Sequence, residues 1–466
     1  MTTARGPITL LWPGRDQPPA PPAPPCALRE DEALSVLAPP APDARAGDPA
    51  PTTDNLLVHG DNRAALAALA PSLQGRVACV YLDPPYNTGQ RFAHYDDDHE
   101  HGAWLARMHD LLVALRPLLA EDGVVVAQTD RTEAAYLKVL LDEVFGRKAY
   151  VTTLAVRMSA TSGFKIEHTD RTLVKNVEHV HVYARRLTLH EKAYEETLAY
   201  DDHYSLLLSP DLATFSPLID KDEVATLLRR LGLPHAGRSL ASLYERSADF
   251  RAFVLTHAER ICRTHTAPAP AVRALAAGTL LAGAAEDAVQ ARTFAGTTYR
   301  LRRTRSGVDQ LISLSLKLRH VDQTGGPDRR ALTNILGDWW DGFHLDMGNV
   351  DLEGGVAFKS SKKPERLLRR LLRLFTRPGD VVLDPFGGAG TTAAVAHKMR
   401  RRWVVVEAGA HCATLAQPRL RRVVLGNDPT GVTAAEGWTG GGGFRFVALA
   451  PPASTTTAAP SSPPER

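Results

Sequence analysis

Long apolar runs and paired cysteines are both missing from this chain of 466 residues. No apolar run approaches the roughly 18 residues that a membrane-spanning helix needs, and the apolar stretch at residues 8–12 is too short for the core of a signal peptide. The four cysteines, at positions 26, 79, 262 and 412, lack the spacing of a metal site or a disulfide framework. We therefore expect a cytoplasmic protein that has no membrane segment and no metal.

Excess charge is also small, with a formal net charge of +3 and a pI near 8.6. A total this small does not by itself indicate a nucleic-acid-binding protein. The basic residues are nevertheless concentrated in three segments, at residues 300–305, 359–377 and 400–402. A single run of this kind is usually a solvated face, but three together favour a polyanionic partner.

The distribution of residue types divides the chain into five parts. Proline and alanine dominate residues 1–53 and 450–466, and such compositions bury too little apolar surface to become ordered. Over residues 54–185 and 338–449, short strand patterns alternate with helical patterns of about 10–15 residues, which predicts an α/β fold with a doubly wound, mostly parallel sheet. Because this alternation is lost over residues 186–337, we predict that a domain of another kind is inserted there.

The stretch "YLDPPYNTG", residues 81–89, follows an apolar strand pattern and places Asp83 at its carboxyl end, where open α/β sheets bind their ligands. Pro84 and Pro85 have no amide hydrogen, so the backbone leaves the sheet rigidly, with carbonyls that lack a ladder partner. Tyr86 adds an aromatic face on which a nucleobase can stack. Such a corner can bind both hydrogens of an exocyclic amino group, although a strand end followed by a plain turn is an equally ordinary interpretation.

A second motif, "VVLDPFGGAGTT" at residues 381–392, predicts a strand, a glycine-rich turn and the start of a helix. Gly388 and Gly390 permit close backbone approach or a positive φ, and Thr391 can cap the helix. About 20 residues after the turn, another strand pattern ends in Glu407, whose carboxylate can accept both hydroxyls of a ribose. The turn has neither the Gly-x-Gly-x-x-Gly spacing nor a P-loop lysine, which disfavours a dinucleotide or a nucleoside triphosphate.

Together, "DPPYNTG" and "DPFGGAGTT" resemble the motifs of amino-methylating DNA methyltransferases that use S-adenosylmethionine. Four further segments are similar to the modification subunits of type III restriction systems: "NLLVHGDNRAALAAL", "WLARMHDLLVALRPLLAEDGVVVAQTDRTEAAYLKVLLDEVFG", "NVEHVHVYAR" and "GGGFRFVAL". The first motif precedes the glycine-rich turn, an order similar to that of the permuted β class of that family. The resemblance covers about residues 55–186 and 337–449. It implies a circularly permuted methyltransferase fold with an inserted target-recognition domain.

The resemblance also implies roles for individual residues. Asp83, Pro84, Pro85 and Tyr86 would hold the target base. The implied cofactor residues are Asp61, Lys363, Pro364, Asp384, Phe386, Gly388, Gly390, Thr391 and Glu407. Among these, Phe386 and the glycines would form the wall under S-adenosylmethionine. Asp61 would lie by the adenine of the cofactor, and Asp384 would steady the turn or approach the methionine amine.

The identity of the methyl acceptor has several alternatives. Asp83 favours adenine N6 over cytosine N4, because cytosine enzymes of the family more often carry serine at this position. A cytosine-C5 enzyme would need a Pro-Cys nucleophile, and Cys26 follows a proline only within the stretch that we predict to be disordered. A protein-amide methyltransferase and a recognition subunit without catalysis are the alternatives from other classes.

We expect double-stranded DNA as substrate, with a restriction subunit and a second copy of the chain as candidate partners. The predicted insert contains a strand–turn–strand pattern that carries Arg300, Arg302, Arg303 and Arg305. We predict that these arginines contact DNA phosphates rather than bases.

Overall fold

The computed structural model of the protein describes residues 9–12, 15, 26–39, 52–87, 100–160, 173–192, 194–218, 222–230, 239–265, 288–294, 296–304, 307–323, 326–358 and 362–450. Backbone contacts divide the chain into two units. The first comprises Met1–Ala193, Asp322–Pro327 and Leu336–Arg466, and the second comprises Tyr194–Val321 and Asp328–Ile335. Among the described residues, no helix combines the length and apolar character required to span a membrane.

The amino-terminal part of the first unit contains seven strands and three helices among its described residues. The strands are β1 (Ala27–Glu30), β2 (Val36–Ala38), β3 (Asn55–His59), β4 (Val77–Leu82), β5 (Leu119–Thr129), β6 (Tyr150–Arg157) and β7 (Val177–Ala184). The helices are α1 (Asn62–Leu73), α2 (His101–Leu115) and α3 (Ala134–Phe145). Strand and helix alternate here as the sequence pattern predicts.

The middle of the chain is described as nine strands and three helices. They are β8 (Tyr194–Glu196), β9 (Leu206–Leu208), β10 (Phe215–Pro217), α4 (Asp222–Arg230), α5 (Leu240–Arg246), α6 (Ala248–His257), β11 (Ile261–His265), β12 (Val289–Phe294), β13 (Thr297–Thr304), β14 (Gly307–Ser313), β15 (Leu318–Gln323) and β16 (Gly326–Ile335). Strands β12, β13 and β14 follow one another along the chain, and each pairs antiparallel with the next. This pairing confirms the predicted strand–turn–strand pattern. The sheet order β10-β9-β11-β14-β13-β12 has no parallel neighbours among the pairings described.

The α/β alternation returns in the carboxyl-terminal part of the first unit. Its elements are β17 (Trp339–Trp340), α7 (Glu365–Phe375), β18 (Val381–Asp384), α8 (Thr391–Lys398), β19 (Arg402–Glu407), α9 (Gln417–Val424), α10 (Thr433–Glu436) and β20 (Gly442–Ala450). Pro364 occupies the N-cap position of α7 in an extended conformation, which suits a residue whose ring cannot continue a helix backward.

The first unit is built on one mixed, mostly parallel sheet with the order β1-β20-β3-β19-β18-β4-β5-β7-β6-β17, to which β2 adds beside β20. The five neighbours from β20 to β4 run parallel, while β7 runs antiparallel between β5 and β6. One face of the sheet packs against α1, α2 and α3 through residues such as Leu66, Leu112 and Leu140. The other packs against α7, α8 and α9. Helices on both faces confirm the predicted doubly wound α/β fold.

The prediction that residues 1–53 are disordered is wrong for residues 26–39. Strands β1 and β2 pair antiparallel with β20, and Val36 is buried in the core. The segment "ALREDEALSVLA" is much less proline-rich than its flanks, so the average composition concealed a short stretch with enough apolar residues to pair. The remainder of this predicted region, apart from residues 9–12, 15 and 52–53, and the tail after residue 450 lie outside the described residues.

A fully buried network of ion pairs joins the helices on one face of the sheet. Lys398 Nζ lies 2.8 Å from Glu365 Oε2 and 2.7 Å from Asp428 Oδ2, and Arg419 Nη2 lies 2.7 Å from Glu365 Oε1. Arg419 also donates through Nη1 to Thr391 Oγ1 at 2.8 Å. The network therefore ties the start of α7 to the turn that precedes α8.

Replacing Lys398 with methionine should destabilise the first unit by about 3–5 kcal/mol, because it leaves buried carboxylates without their cation. Arg63→Met is the matched control, since Arg63 forms an ion pair with Asp110 at 3.1 Å that is partly exposed, and such pairs contribute about 1 kcal/mol or less. Urea unfolding followed by tryptophan fluorescence measures both, because all six tryptophans belong to the first unit. Equal losses in the two variants would contradict a structural role for the buried network.

Candidate active site

Four acidic residues lie at or just after the carboxyl ends of four adjacent parallel strands. Asp61 follows β3, Asp83 follows β4, and Asp384 and Glu407 end β18 and β19. Strands β3, β19, β18 and β4 are neighbours in that order. Because parallel strands end at the same edge of a sheet, the two motifs that are 300 residues apart in the sequence converge on one crevice.

The backbone after β4 forms the acceptor-rich corner that the sequence predicts. Trp104 donates its indole N–H to the Pro85 carbonyl at 2.8 Å, which fixes the direction of the turn. Within the part of the chain that the structure describes, the carbonyl of Pro84 accepts no hydrogen bond. The Asp83 carboxylate lies beside it, with 16% of its side chain exposed. A partly accessible carboxylate and a carbonyl with no described hydrogen-bond partner, on the buried Pro84, therefore share this corner.

Glu178 is a second carboxylate in the corner, and sequence reasoning missed it. The Tyr86 hydroxyl lies 2.7 Å from Asp83 Oδ1 and 2.9 Å from Glu178 Oε2, and Gln128 donates to Glu178 Oε2 at 2.6 Å. Glu178 lies near the start of β7, and only because β7 runs antiparallel to β5 does its start reach the edge where β4 ends. The residues of β7 carry no signal of this reversal.

Lys363 belongs to this corner as well, although the resemblance assigns it to the cofactor side. Its ammonium lies 3.2 Å from Asp83 Oδ1 and 3.5 Å from Glu178 Oε2, and 4.7 Å from the centroid of the Tyr86 ring. The extended Pro364 directs the chain into α7 immediately after Lys363. The structure thus places Lys363 against the Asp-Pro-Pro-Tyr motif.

The two carboxylates differ in their electrostatic environment. Burial raises the pKa of Asp83, and the ammonium of Lys363 and the hydrogen bond from Tyr86 oppose this shift only in part. Burial also acts to raise the pKa of Glu178, but Lys363 and the hydrogen bonds from Gln128 and Tyr86 outweigh it, so that this pKa is lowered. Asp83 is therefore the more basic of the two and the better acceptor for a proton.

The glycine-rich turn between β18 and α8 is held from both sides by carboxylates. Asp384 accepts hydrogen bonds from the Phe386 amide at 2.8 Å and from the Thr392 hydroxyl at 2.6 Å. Glu407 Oε2 accepts the Gly388 amide at 2.7 Å. Of the two roles implied for Asp384, the structure supports steadying the turn, because its side chain is buried and its oxygens are already bonded.

Backbone geometry explains the glycines of this turn. A Cβ at Gly387 would overlap the side chain of Val405 on the neighbouring strand. Gly390 has a φ of +75°, in the left-handed region that an L-side chain rarely adopts. Phe386 is half-buried against the core beneath α1–α3. Packing against the sheet thus requires glycine at position 387, and the backbone conformation favours it at position 390.

Two implied cofactor residues have other contacts in the structure. Asp61 caps α1 by accepting the Ala64 amide at 3.0 Å, and its side chain is exposed. Thr391 is buried, and its hydroxyl accepts from Arg419, so it supports the turn from behind rather than lining the crevice.

The predicted phosphate-binding arginines are only partly described. Arg302 on β13 lies 2.8 Å from Asp309 on β14, so its charge is neutralised within the hairpin. Arg300 has no ion-pair partner among the described residues. The side chain of Arg303 and the whole of Arg305 lie outside the described residues. Among the described side chains of this cluster, Arg300 is therefore the candidate for a phosphate contact.

Over its described residues, 362–377, the basic segment is largely neutralised and is not an open positive face, which corrects the interpretation of that cluster. Four of its arginines are paired with acids of the same unit. The pairs are Arg366–Asp346, Arg369–Glu436, Arg370–Asp322 and Arg373–Glu191. The sequence shows the basic run but conceals these partners, because each acid is distant along the chain.

Residues 77–202 and 327–418 match the model of the DNA methylase family. The chain carries a DNA methylase domain. The matched residues of the methylase domain include both the Asp83 corner and the glycine-rich turn, but omit most of the second unit. The chain is 32% identical over 415 residues to the "probable type III restriction-modification enzyme HindVI Mod subunit" of Haemophilus influenzae, covering 85% of this chain and 54% of that protein. It therefore spans about half the length of that relative.

The chain is also similar, at lower identity, to a second curated protein and to a solved structure. Type II methyltransferase M.EcaI of Enterobacter cloacae is 24% identical over 81% of this chain and 71% of its own length. Among solved structures, a protein of Thermus thermophilus described as a DNA modification methylase is 15% identical, with a TM-score of 0.38 over 84% of this chain and 99% of that one.

The environment of Asp384 predicts a pH-dependent stability. Burial raises the pKa of this carboxyl from 3.8 to about 7, so the folded state keeps a proton that the unfolded state loses, and stability falls as pH rises from about 4 to 7. Asp384→Asn removes this dependence. We expect the unfolding free energy of Asp384→Asn to be lower than that of the native protein at pH 5. This difference should decrease by a few kcal/mol between pH 5 and pH 8, because a pKa difference of one unit corresponds to about 1.4 kcal/mol.

Urea unfolding of both proteins at the two pH values measures this change. Asp380→Asn is the control, because Asp380 caps the turn before β18 through the Arg377 amide in an exposed position. A deficit of Asp384→Asn that is the same at both pH values would show that the Asp384 carboxyl does not titrate in this range.

Proposed function

We propose that the protein transfers a methyl group from S-adenosylmethionine to the N6 amino group of adenine in double-stranded DNA. The observation that carries this proposal is the convergence of two acceptors, Asp83 and the Pro84 carbonyl, which has no described hydrogen-bond partner, beside Tyr86. They lie on the same sheet edge as the glycine-rich turn and Glu407. Asp83, Pro84 and Tyr86 suit the binding of an amino group that accepts a methyl group. The glycine-rich turn and Glu407 suit the binding of an adenosine. The match of both groups to the DNA methylase family supports the proposal.

The corner provides what an exocyclic amine needs in order to become a nucleophile. The lone pair of such an amine is delocalised into the ring until its two hydrogens are bound by acceptors. Asp83 and the Pro84 carbonyl supply one acceptor each, and Tyr86 offers a ring on which the base stacks. The base must leave the duplex to reach them, at a cost of a few kcal/mol. Asp83 then takes up the proton that the amine loses.

The residues around the glycine-rich turn fit the proposed cofactor. S-adenosylmethionine supplies an electrophilic methyl group on a sulfonium. Glu407 already accepts the amides of Gly388 and Gly409 and lies 3.1 Å from His411, and a carboxylate has about four acceptor positions. One acceptor position on Oε2 thus stays open for a ribose hydroxyl, whereas the sequence suggests that Glu407 accepts both hydroxyls. Asp61, exposed at the neighbouring strand end, would approach the adenine, and Phe386 with the backbone of Gly388 and Gly390 would form the wall.

Adenine is preferred over cytosine because Asp83 occupies the first position of the Asp-Pro-Pro-Tyr motif. The second unit, residues 194–321 and 328–335, would recognise the target sequence, with Arg300 on DNA phosphate. The likeness to a type III Mod subunit makes a restriction subunit a candidate partner, and a second copy of the chain is another. A cytoplasmic location, which the four free cysteines favour, is part of the same proposal.

The direct test is methyl transfer from radiolabelled S-adenosylmethionine to unmodified genomic DNA, with total cell protein as the competing acceptor. We expect label in DNA alone. Label in protein would favour a protein-amide methyltransferase, and cofactor binding without transfer would favour a recognition subunit. Long-read sequencing of DNA from a host that expresses the chain then identifies the methylated base and its context, which separates adenine from cytosine.

Asp83→Ala should reduce single-turnover methylation by at least about 100-fold, because it removes the acceptor of the amine proton. Cofactor affinity, measured by calorimetry, should stay unchanged, since the interaction strengthens only as the reaction proceeds. The control is Asp110→Ala, which removes a carboxylate of α2 outside the corner and should keep the rate. A folded Asp83→Ala enzyme with a nearly native rate would contradict the catalytic role.

Glu407→Ala should weaken S-adenosylmethionine binding by about tenfold to a hundredfold, because a charge-assisted hydrogen bond contributes about 1.5–3 kcal/mol. The control is His411→Ala, which removes a neighbour of Glu407 Oε1 but keeps the carboxylate. Calorimetry with each folded variant makes the comparison. Equal affinity in the two variants would place the ribose elsewhere.

A further inference from the structure

Three charged groups in the Asp83 corner come from three separate parts of the chain. Lys363 precedes α7, Asp83 follows β4 and Glu178 lies in β7. The Lys363 ammonium contacts both carboxylates, at 3.2 Å and 3.5 Å, and only 10% of its side chain is exposed. One buried cation is therefore shared by two acids, which is an arrangement that the amine-binding role of Asp83 does not by itself require.

The position of the ammonium is as informative as its charge. It lies over the Tyr86 ring, 4.7 Å from the centroid, on a ring that a stacked base would use. An ammonium and an exocyclic amino group are both N–H donors, and both would seek Asp83 as acceptor. Lys363 thus makes one of the two contacts that we propose for the amino group of a target base, the contact with Asp83.

None of the other described titratable groups around Asp83 could replace this ammonium. The titratable groups that face Asp83 are Tyr86 in its own turn, Tyr81 on β4, Glu178 on β7 and Asp384 on β18, in addition to Lys363. Apart from Lys363, these groups are acids or phenols. Without the lysine, ionised Asp83 and Glu178 would lie close together, and no other described cation forms an ion pair with either of them.

On the basis of the proposed function, we propose that Lys363 is a positioning residue of the methyl-acceptor corner. It is the counter-ion shared by Asp83 and Glu178, it keeps Asp83 ionised, and it holds the place of the target amino group until a flipped base takes over its contact with Asp83. The alternative is a purely structural role, in which Lys363 only fastens the start of α7 to β4.

The shared counter-ion predicts opposite pH shifts for two substitutions. An opposite charge at this distance lowers a carboxyl pKa by about one to three units, so Lys363→Met should shift the acidic limb of the methylation profile upward in pH by about that amount. Glu178→Gln removes a negative neighbour of Asp83, so it should shift the limb downward. Lys363→Arg should restore most of the native profile. A purely structural role of Lys363 predicts lower methylation rates without these shifts of the acidic limb.

The experiment measures methyl transfer to unmodified genomic DNA from pH 5 to pH 9 for these three variants and for Arg366→Met. Arg366 lies in the first turn of α7, three residues after Lys363, and its ion pair is with Asp346, at 2.6 Å, instead of with the corner. The pH profile of Arg366→Met should therefore keep the native acidic limb. If the limb of Lys363→Met coincides with that of the native enzyme, or if Glu178→Gln shifts in the same direction as Lys363→Met, the proposal is wrong.

A second measurement does not depend on activity. Loss of Lys363 raises the folded-state pKa of both acids, so the decrease in melting temperature of Lys363→Met should be larger at pH 8 than at pH 5. The double variant Lys363→Met/Glu178→Gln should recover part of the loss at pH 8, because one of the two uncompensated charges is gone. Additive losses, or an equal loss at both pH values, would overturn the shared counter-ion. Absence of methyl transfer by the native protein would instead overturn the proposed function, and the melting data would still decide on Lys363.

Discussion

Parallel pairing of β18 with β4 is the interaction on which the candidate site depends. It joins the first and last thirds of the chain, and it brings the end of the Asp-Pro-Pro-Tyr strand beside the glycine-rich turn. The neighbouring pairs, β18 with β19 and β19 with β3, extend the same edge to Glu407 and Asp61. Without these pairings each motif would be an ordinary strand end with one acid.

Concentrating acids at one edge has an electrostatic cost, and basic residues of α7 and its surroundings offset it. Lys363 lies between Asp83 and Glu178, while Arg419 and Lys398 surround Glu365 beneath the glycine-rich turn. Charged groups buried in this way are stable only in pairs. The start of α7 thus contacts the acceptor corner through Lys363 and the support of the turn through Glu365, two residues later.

This use of charge explains why local composition is a poor guide to DNA binding here. The run at residues 359–377 has the composition of a nucleic-acid face, yet four of its five described arginines are paired with acids of their own unit. Arg302 is likewise paired across its hairpin. A basic cluster therefore indicates a polyanionic partner only if its residues are not already paired with acids of the same fold.

The sequence by itself determined the elements and their chemistry. Strand and helix periods predicted the doubly wound sheet, Pro84 and Pro85 predicted a rigid turn with an open carbonyl, and Gly390 predicted a positive φ. These are local properties, because they depend on side-chain spacing, a missing amide hydrogen or a missing Cβ.

Only the tertiary structure decided which charges meet. Glu178 reaches the corner because β7 is reversed in the sheet, Lys363 because α7 packs above β4, and β1 and β2 are ordered because β20 offers them an edge. Strand direction and long-range pairing depend on how distant segments pack, and no residue of β7 or of the segment before α7 records that outcome in its own sequence.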